Sequence, residues 1–237
     1  MLRNLTKMDT LFPMLAASLL LAALTPAARA DTNDSCAEPP APSHYLAQAG
    51  DSQDAQHFAA SREFASGSLE LNVCSGEVRV RPSSDGALHV QVSVAKMPAS
   101  RMGAYVKELL VTSGHAEISL EYPHRLHAVV TLEVPAEVLH SEVNLGAGTL
   151  SFSGEGLHGD RQLNVGAGTA VVYLLGDQGY ASMEANVGLG SFHDKRPGGT
   201  SSHFVISRHF AGTGQGTLEV NVGAGAIDIE PRRGETD

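Results

Sequence analysis

The residues able to carry chemistry are eleven histidines, a scatter of carboxylates, two cysteines and a Gly-Ala-Gly or Gly-Leu-Gly phrase that occurs four times. A zinc site needs three or four ligands converging on one point. His124, His127, His158, His193, His203 and His209 lie in different phases of the sequence, and neither His-Glu-x-x-His nor Cys-x-x-Cys occurs. The densest group, His193, Asp194, His203 and His209, is the one metal option; the adopted reading is scattered surface histidines, with no metal and no other cofactor. Glycoside hydrolysis needs two carboxyl groups across one scissile bond. Asp160, Asp177, Glu184 and Asp194 could line such a groove, but acidic side chains belong on any solvated face of a chain with net charge −10. The lack of tryptophan, with 5% aromatics, provides poorly for a long sugar-stacking platform. No Ser, His and Asp arrangement has local motif support. Phosphate loops use glycines to open a helix whose amides face the anion; here alternating strands follow the glycines, and no Gly-Lys-Ser/Thr occurs. Calcium-binding rolls place Asp in each turn, where this chain has Ala147, Ala167, Leu189 and Ala224.

The glycine phrases belong to a repeat. Val143-Asn144-Leu145-Gly146-Ala147-Gly148 returns as Leu163-Asn164-Val165-Gly166-Ala167-Gly168, as Ala185-Asn186-Val187-Gly188-Leu189-Gly190 and as Val220-Asn221-Val222-Gly223-Ala224-Gly225. A degraded copy, Leu71-Asn72-Val73-Cys74-Ser75-Gly76, lies upstream with Cys74 in place of the first glycine. Self-similarity on this scale marks stacked units that bury their apolar faces only against neighbours. Gly-x-Gly between two alternating strands is a corner or a hairpin, since glycine accepts positive φ without a Cβ clash. Equal phrases at near-equal spacing favour parallel stacking about 4.8 Å apart over a meander, and stacked asparagines can then form an amide ladder. The asparagines at 144, 164, 186 and 221 are 20, 22 and 35 residues apart, so the last gap holds an insertion-bearing rung or a rung plus a loop.

The elements before the array follow from the same alternation. Leu69, Leu71 and Val73 share a strand face that Val78 and Val80 resume, and Leu88, Val90, Val92 and Val94 alternate after a turn at 81–86. Met102, Tyr105, Val106 and Leu109 have roughly helical spacing, which predicts one short helix between 99 and 110. Strands are expected again at 117–122 and 128–134, the second ended by Pro135.

Residues 1–30 read as a signal peptide, with Arg3 and Lys7 ahead of an apolar run from Leu11 to Leu24 and Ala28-Arg29-Ala30 at the cleavage site. That run is too short for a membrane span after signal removal. The exported chain is then extracytoplasmic, periplasmic or secreted. Its acidity would repel nucleic acid on average. Cys36 and Cys74 are expected to form a disulfide in such a compartment, and closing that loop is worth roughly 4 kcal/mol in the chain-entropy model. Residues 31–60 are expected to be a flexible Pro/Ala-rich arm, 61–231 one β-solenoid domain with its repeat array at 136–231, and 232–237 a polar tail.

The repeated Val-Asn-Val-Gly-Ala-Gly phrases, preceded by Leu132-Glu133-Val134-Pro135 and a helix-strand prelude, resemble the toast-rack β-solenoid family, whose members are often labelled adhesins of unknown function. The resemblance covers residues 64–231. It implies a single-domain, β-helix-like stack on the outer side of a bacterial cytoplasmic membrane. Relatives include membrane-tethered proteins linked to envelope stress responses; the sequence departs from them in lacking a membrane anchor or fused sensor domain, which weighs against direct signalling. The expectation is therefore an all-β, single-domain β-solenoid with one short helix in its N-terminal half. Its expected use is non-enzymatic, as an envelope binding, adhesin-like or scaffold module. An envelope protein or surface glycan is the expected partner, and edge-to-edge self-association is open. The alternative is a carbohydrate-active lyase or hydrolase on the same scaffold.

Overall fold

Along Asp160–Leu174 the apolar side chains of Leu163 and Val165 are buried, and so are those of Ala170, Val172 and Leu174. Side chains on one face of a straight strand recur every second residue. Residues 165 and 170 are an odd number apart and would lie on opposite faces. Both sets nevertheless enter one core, because the chain turns a corner at Gly166-Ala167-Gly168 between them. The same change of phase occurs in Gly67–Pro82, Val138–Ser153, Ser182–Asp194 and Thr217–Pro231. These five bent strands are the rungs of the molecule.

The computed structural model describes residues 45–231 apart from 65, 96–100 and 155–157. In chain order the strands are β1 (Ser52–Gln53), β2 (His57–Arg62), β3 (Gly67–Pro82), β4 (Leu88–Val94), β5 (Val106–Val111), β6 (His115–Leu120), β7 (Ala128–Val134), β8 (Val138–Ser153), β9 (Asp160–Leu174), β10 (Ser182–Asp194), β11 (Ser201–Ala211) and β12 (Thr217–Pro231). The sheet order is β1-β2-β4-β7-β3-β8-β9-β12-β10-β11, with β6 on the other half of β3 and β5 beside β6. Strands β3, β8, β9, β12 and β10 run parallel with the phrases in register, Asn72 opposite Asn144, then Asn164, Asn221 and Asn186. The fold is all-β and solenoid-like, with like stacked on like.

The rung before β3 is split. Its first half is β6, pairing Ser68–Val73, and its second half is β7, pairing Glu77–Pro82. A 3-10 turn at His124–Leu126 stands where the other rungs have a glycine corner. Two antiparallel strands, β5 on β6 and β4 on β7, flank this split rung.

Three expectations are refined. The short helix is present as a single 3-10 turn, Met102–Tyr105, while Val106 and the residues to Val111 form β5. Met102, Tyr105 and Val106 are all buried, so their spacing reports a core-facing turn running into a strand. The arm expected over 31–60 ends sooner, because β1 pairs with β2 and β2 carries buried Phe58 and Ala60. The reason is a buried ion pair: Arg62 donates to both Asp51 carboxylate oxygens, at 2.5 and 2.8 Å, and the Tyr45 hydroxyl donates to Oδ2 at 2.6 Å. Finally, the long gap before Asn221 contains β11, antiparallel to β10, after which the chain crosses back to lay β12 between β9 and β10. The signal peptide, the first part of the arm with Cys36, and the 232–237 tail lie outside the described residues. Among the described residues no helix is long and apolar enough to cross a membrane.

Candidate functional site

The asparagines form a ladder. Asn144 Nδ2 donates to Asn72 Oδ1 at 3.0 Å, Asn164 to Asn144 at 2.8 Å, Asn221 to Asn164 at 3.0 Å and Asn186 to Asn221 at 3.1 Å. A second acceptor stands two residues earlier on the same rung: Asn72, Asn144, Asn221 and Asn186 donate to Glu70, Glu142, Glu219 and Glu184 at 2.8–3.1 Å. Where Gln162 replaces the acid, Asn164 reaches Glu142 at 3.4 Å. Each interior amide thus places its two N–H groups on two acceptors. The column of acids is part of the repeat, and its signal is Glu/Gln-x-Asn in all five copies.

Close stacking dictates the glycines. A Cβ on Gly146 would stand 2.5 Å from the Cys74 carbonyl oxygen, and one on Gly168, whose φ is +141°, would stand 1.8 Å from that of Gly148. Gly148, Gly190 and Gly225 share the positive φ, and Gly188 and Gly223 share the close approach; Gly166 completes the β9 corner. Cys74 escapes the rule because the split rung leaves no strand corner against it. Its Sγ lies 2.9 Å from the Tyr122 carbonyl oxygen, and the Tyr122 hydroxyl donates to Ser75 O.

The residues weighed for chemistry are dispersed. Asp160 accepts from Thr217 Oγ1 at 2.8 Å, and Glu184 belongs to the asparagine ladder. Asp177 and Asp194 both hold Arg196, at 3.1 and 2.8 Å. Burial pushes the Asp194 carboxyl up, but the Arg196 hydrogen bonds outweigh it and hold the group below its ordinary value, the direction opposite to that of a general acid. His193 and His203 approach with ring centres 6.0 Å apart, but His193 Nδ1 is engaged by Asp228 at 2.8 Å and Asp194 by Arg196. His209 is paired across the strands with Glu184. Among the described residues no three or more His, Cys, Asp or Glu side chains form a group able to hold a metal ion. Arg161, buried at the start of β9, donates to the Asp160, Val138 and His158 carbonyls. Desolvation brings it down to about 10, and it ties the starts of β8 and β9 together.

Two surfaces remain. The first is the terminal edge: among the described residues β11 pairs with β10 alone. It must follow β10 around the corner, and it does so through a bulge that sets Phe204 opposite Gly190. Phe204 takes φ +82° and is 75% exposed, and Val205 and Leu189 are 81% and 62% exposed beside it. The second is the outward face of β8 and β9 beyond the corner. There Thr149, Ser151, Ser153, Thr169, Val171 and Tyr173 point away from the core. A shallow groove of about 280 Å³ opens along it, lined by Glu77, Arg79, Val80, Ser151, Phe152, Ser153 and Tyr173. A second hollow, of about 430 Å³, shares Glu77 and runs past Thr149 to His127 at the split rung.

No protein-family model matches the chain, and no curated protein matches it. Among solved structures, it is similar to a candidate cell adhesion protein from Clostridium sporogenes, at 13% identity and a TM-score of 0.47, over 77% of this chain and 100% of that one. It is also similar to a candidate adhesin from Bacteroides fragilis, at 11% identity and a TM-score of 0.27, over 75% of this chain and 98% of that one. At these values neither neighbour assigns a role to any residue.

Proposed function

We propose that this chain is an exported, non-enzymatic β-solenoid binding module of the cell envelope, adhesin-like or scaffolding in use, which docks an extended segment of a partner protein on β11. The observation that carries this reading is Phe204. A bulky residue at positive φ costs of order 1–3 kcal/mol, and glycine fills the equivalent corner on the neighbouring strand. Holding an aromatic ring there, exposed beside Val205 and Leu189, is accounted for by a contact made outside the chain. An open edge adds main-chain hydrogen bonds to any such contact. Strand β11 carries Arg208, His203 and His209 and no acidic residue. A second copy laid antiparallel on it would bring these groups together, whereas a carboxylate-bearing strand complements them. A lyase or hydrolase on this scaffold is left without a supporting observation, since Asp160 and Glu184 serve separate local contacts and Asp177 and Asp194 are both held by Arg196.

The test is site-specific photocrosslinking in the cells that make the protein, with Phe204→p-benzoylphenylalanine. The expected result is an adduct with a polypeptide of another mass, lost on adding Arg208→Glu and absent when the probe sits at His89. An adduct of twice the chain's own mass, or none at all, would overturn the reading.

A further inference from the structure

The outward face of β8 and β9 differs from its neighbours in charge. Across the same sheet, β3 presents Glu77, Arg79 and Arg81 on one side, and β12 presents Asp228 and Glu230 on the other. Between them the outward positions of β8 and β9 carry only hydroxyl groups, one valine and one tyrosine. In so acidic a chain, an uncharged strip two strands wide with a charged rim has the layout of a recognition surface. Both strands are hydrogen-bonded to neighbours on either side. Strand addition is therefore impossible here, and recognition must run through side chains.

Those side chains suit one chemistry. Tyr173 is 39% exposed and lines the groove. Ser151 and Ser153 stand beside it on the neighbouring strand, with Ser153 directly paired to Tyr173. Arg79 Nε donates to Glu77 Oε1 at 2.6 Å, so a planar donor group and a carboxylate border the same groove. Side chains on such a face stand about 5 Å apart across strands and about 7 Å along one. An aromatic ring for the C–H face of a sugar, with hydroxyl, guanidinium and carboxylate groups around it for the sugar hydroxyls, matches a pyranose. A protein partner would need more apolar anchors than this one ring.

We propose that the strip formed by Thr149, Ser151, Ser153, Thr169 and Tyr173, with Arg79 and Glu77 at its border, is a carbohydrate-binding subsite that seats one pyranose ring of a surface polysaccharide on Tyr173. The single aromatic sets the scale: one stacked residue, not the long platform that several rings would form. This subsite is separated from β11 by β12 and β10 and stands or falls independently of docking at that edge.

The test is saturation-transfer NMR on the whole chain with three probes at millimolar concentration, methyl α-glucopyranoside, methyl α-galactopyranoside and methyl N-acetyl-β-glucosaminide. At least one is expected to receive saturation on its ring C–H protons. That signal should fall at least five-fold in Tyr173→Ala, persist in Tyr173→Phe, and be unchanged in Leu175→Ala, whose exposed side chain lies off the strip. Amide shifts on titration should map to Ser151, Ser153 and Tyr173, a readout that does not depend on any variant folding. No transfer to any of the three probes, transfer that survives loss of the ring, or shifts centred on β11 would overturn the proposal. So would a polypeptide adduct formed by Tyr173→p-benzoylphenylalanine, since the strip would then serve a protein.

Discussion

Asn164 sits in the interior of its ladder, accepting from Asn221 at 3.0 Å and donating to Asn144 at 2.8 Å. Replacing it leaves an acceptor on one side and a donor on the other with nothing between them. Each partly buried group left this way costs on the order of 1 kcal/mol, so Asn164→Ala is expected to cost about 2 kcal/mol. That lowers Tm by roughly 4–8 °C for a domain of this size. Asn186 ends the ladder, and its loss breaks one ladder bond, to Asn221, together with the exposed bond to Glu184; Asn186→Ala is expected to cost about half as much. Equal losses in differential scanning calorimetry would refute the ladder as the source of stability, and binding at Tyr173 or β11 should be untouched by either change. Gly168→Ala tests the corner, because its Cβ would meet the Gly148 carbonyl oxygen at 1.8 Å with a strained φ as well. A cost above about 3 kcal/mol is expected, against near neutrality for Ala167→Ser on the exposed middle residue. The asparagines and glycines were legible because they repeat. The acids two residues before four of the five asparagines repeat nearly as well, but a carboxylate on an exposed strand position invites no structural reading until its amide partner is located.

At the level of elements, the N-terminal strands depend on one carboxylate. Hydrogen bonds from Arg62 hold Asp51 well below the usual carboxylate range, at about 2, against the desolvation that pushes it up. A carboxyl whose folded value is depressed contributes stability that is fully present above its unfolded value, near 3.8, and lost as pH falls through about 2. Urea denaturation of the parent chain and of Asp51→Asn should therefore differ most above pH 4 and converge toward pH 2; a constant difference would place the contribution elsewhere. Desolvation on burial, followed by the Asp51 contact, raises Tyr45 to about 12, so a second loss is expected as pH rises from about 10 to 12. Sequence alone put residues 45–60 in a flexible arm, as the end of a 31–60 stretch rich in Ala, Pro, Asp, Gln and Ser. What orders them is a contact between residues 51 and 62 that no local pattern announces. The helical spacing at Met102, Tyr105 and Val106 marks the 3-10 turn and its exit into β5, since three buried residues at a turn entering a strand share the spacing of one helical face. At the other end of the stack, Phe204→Gly removes a strained φ while giving up little burial. It is expected to stabilise the chain by about 1 kcal/mol and to abolish docking on β11, an opposition between thermal stability and binding that a merely structural residue would not show.

For the molecule as a whole, the order of the rungs decides how it unfolds. A solenoid built in sequence order frays from its last rung inward, since each repeat leans only on its neighbours. Here the last strand of the chain lies inside the stack, with β9 on one side and β10 on the other. The terminal position belongs instead to β11, reached before β12 is made. The parallel spacing of the first phrases foretold stacking, but it did not foretell this crossing, because identical phrases give identical register wherever a rung is inserted. Two consequences can be measured. Native-state hydrogen exchange should show the β9, β12 and β10 amides opening with one shared free energy, since β10 cannot detach while keeping its parallel partner β12, and only β11 should exchange faster. Deleting residues 217–237 should do more than remove one rung. It strips β10 of Asn221, of the Val220 and Val222 contacts and of every parallel hydrogen bond it has, so the chain ending at 216 is expected to lose cooperative unfolding throughout residues 160–216. Formation of a β10–β9 pairing in that shortened chain, seen as Asn186 amide protection equal to that of the parent, would show that the inserted strand is dispensable. The order of the rungs would then be an accident of connection and not the lock on the terminal edge formed by β11.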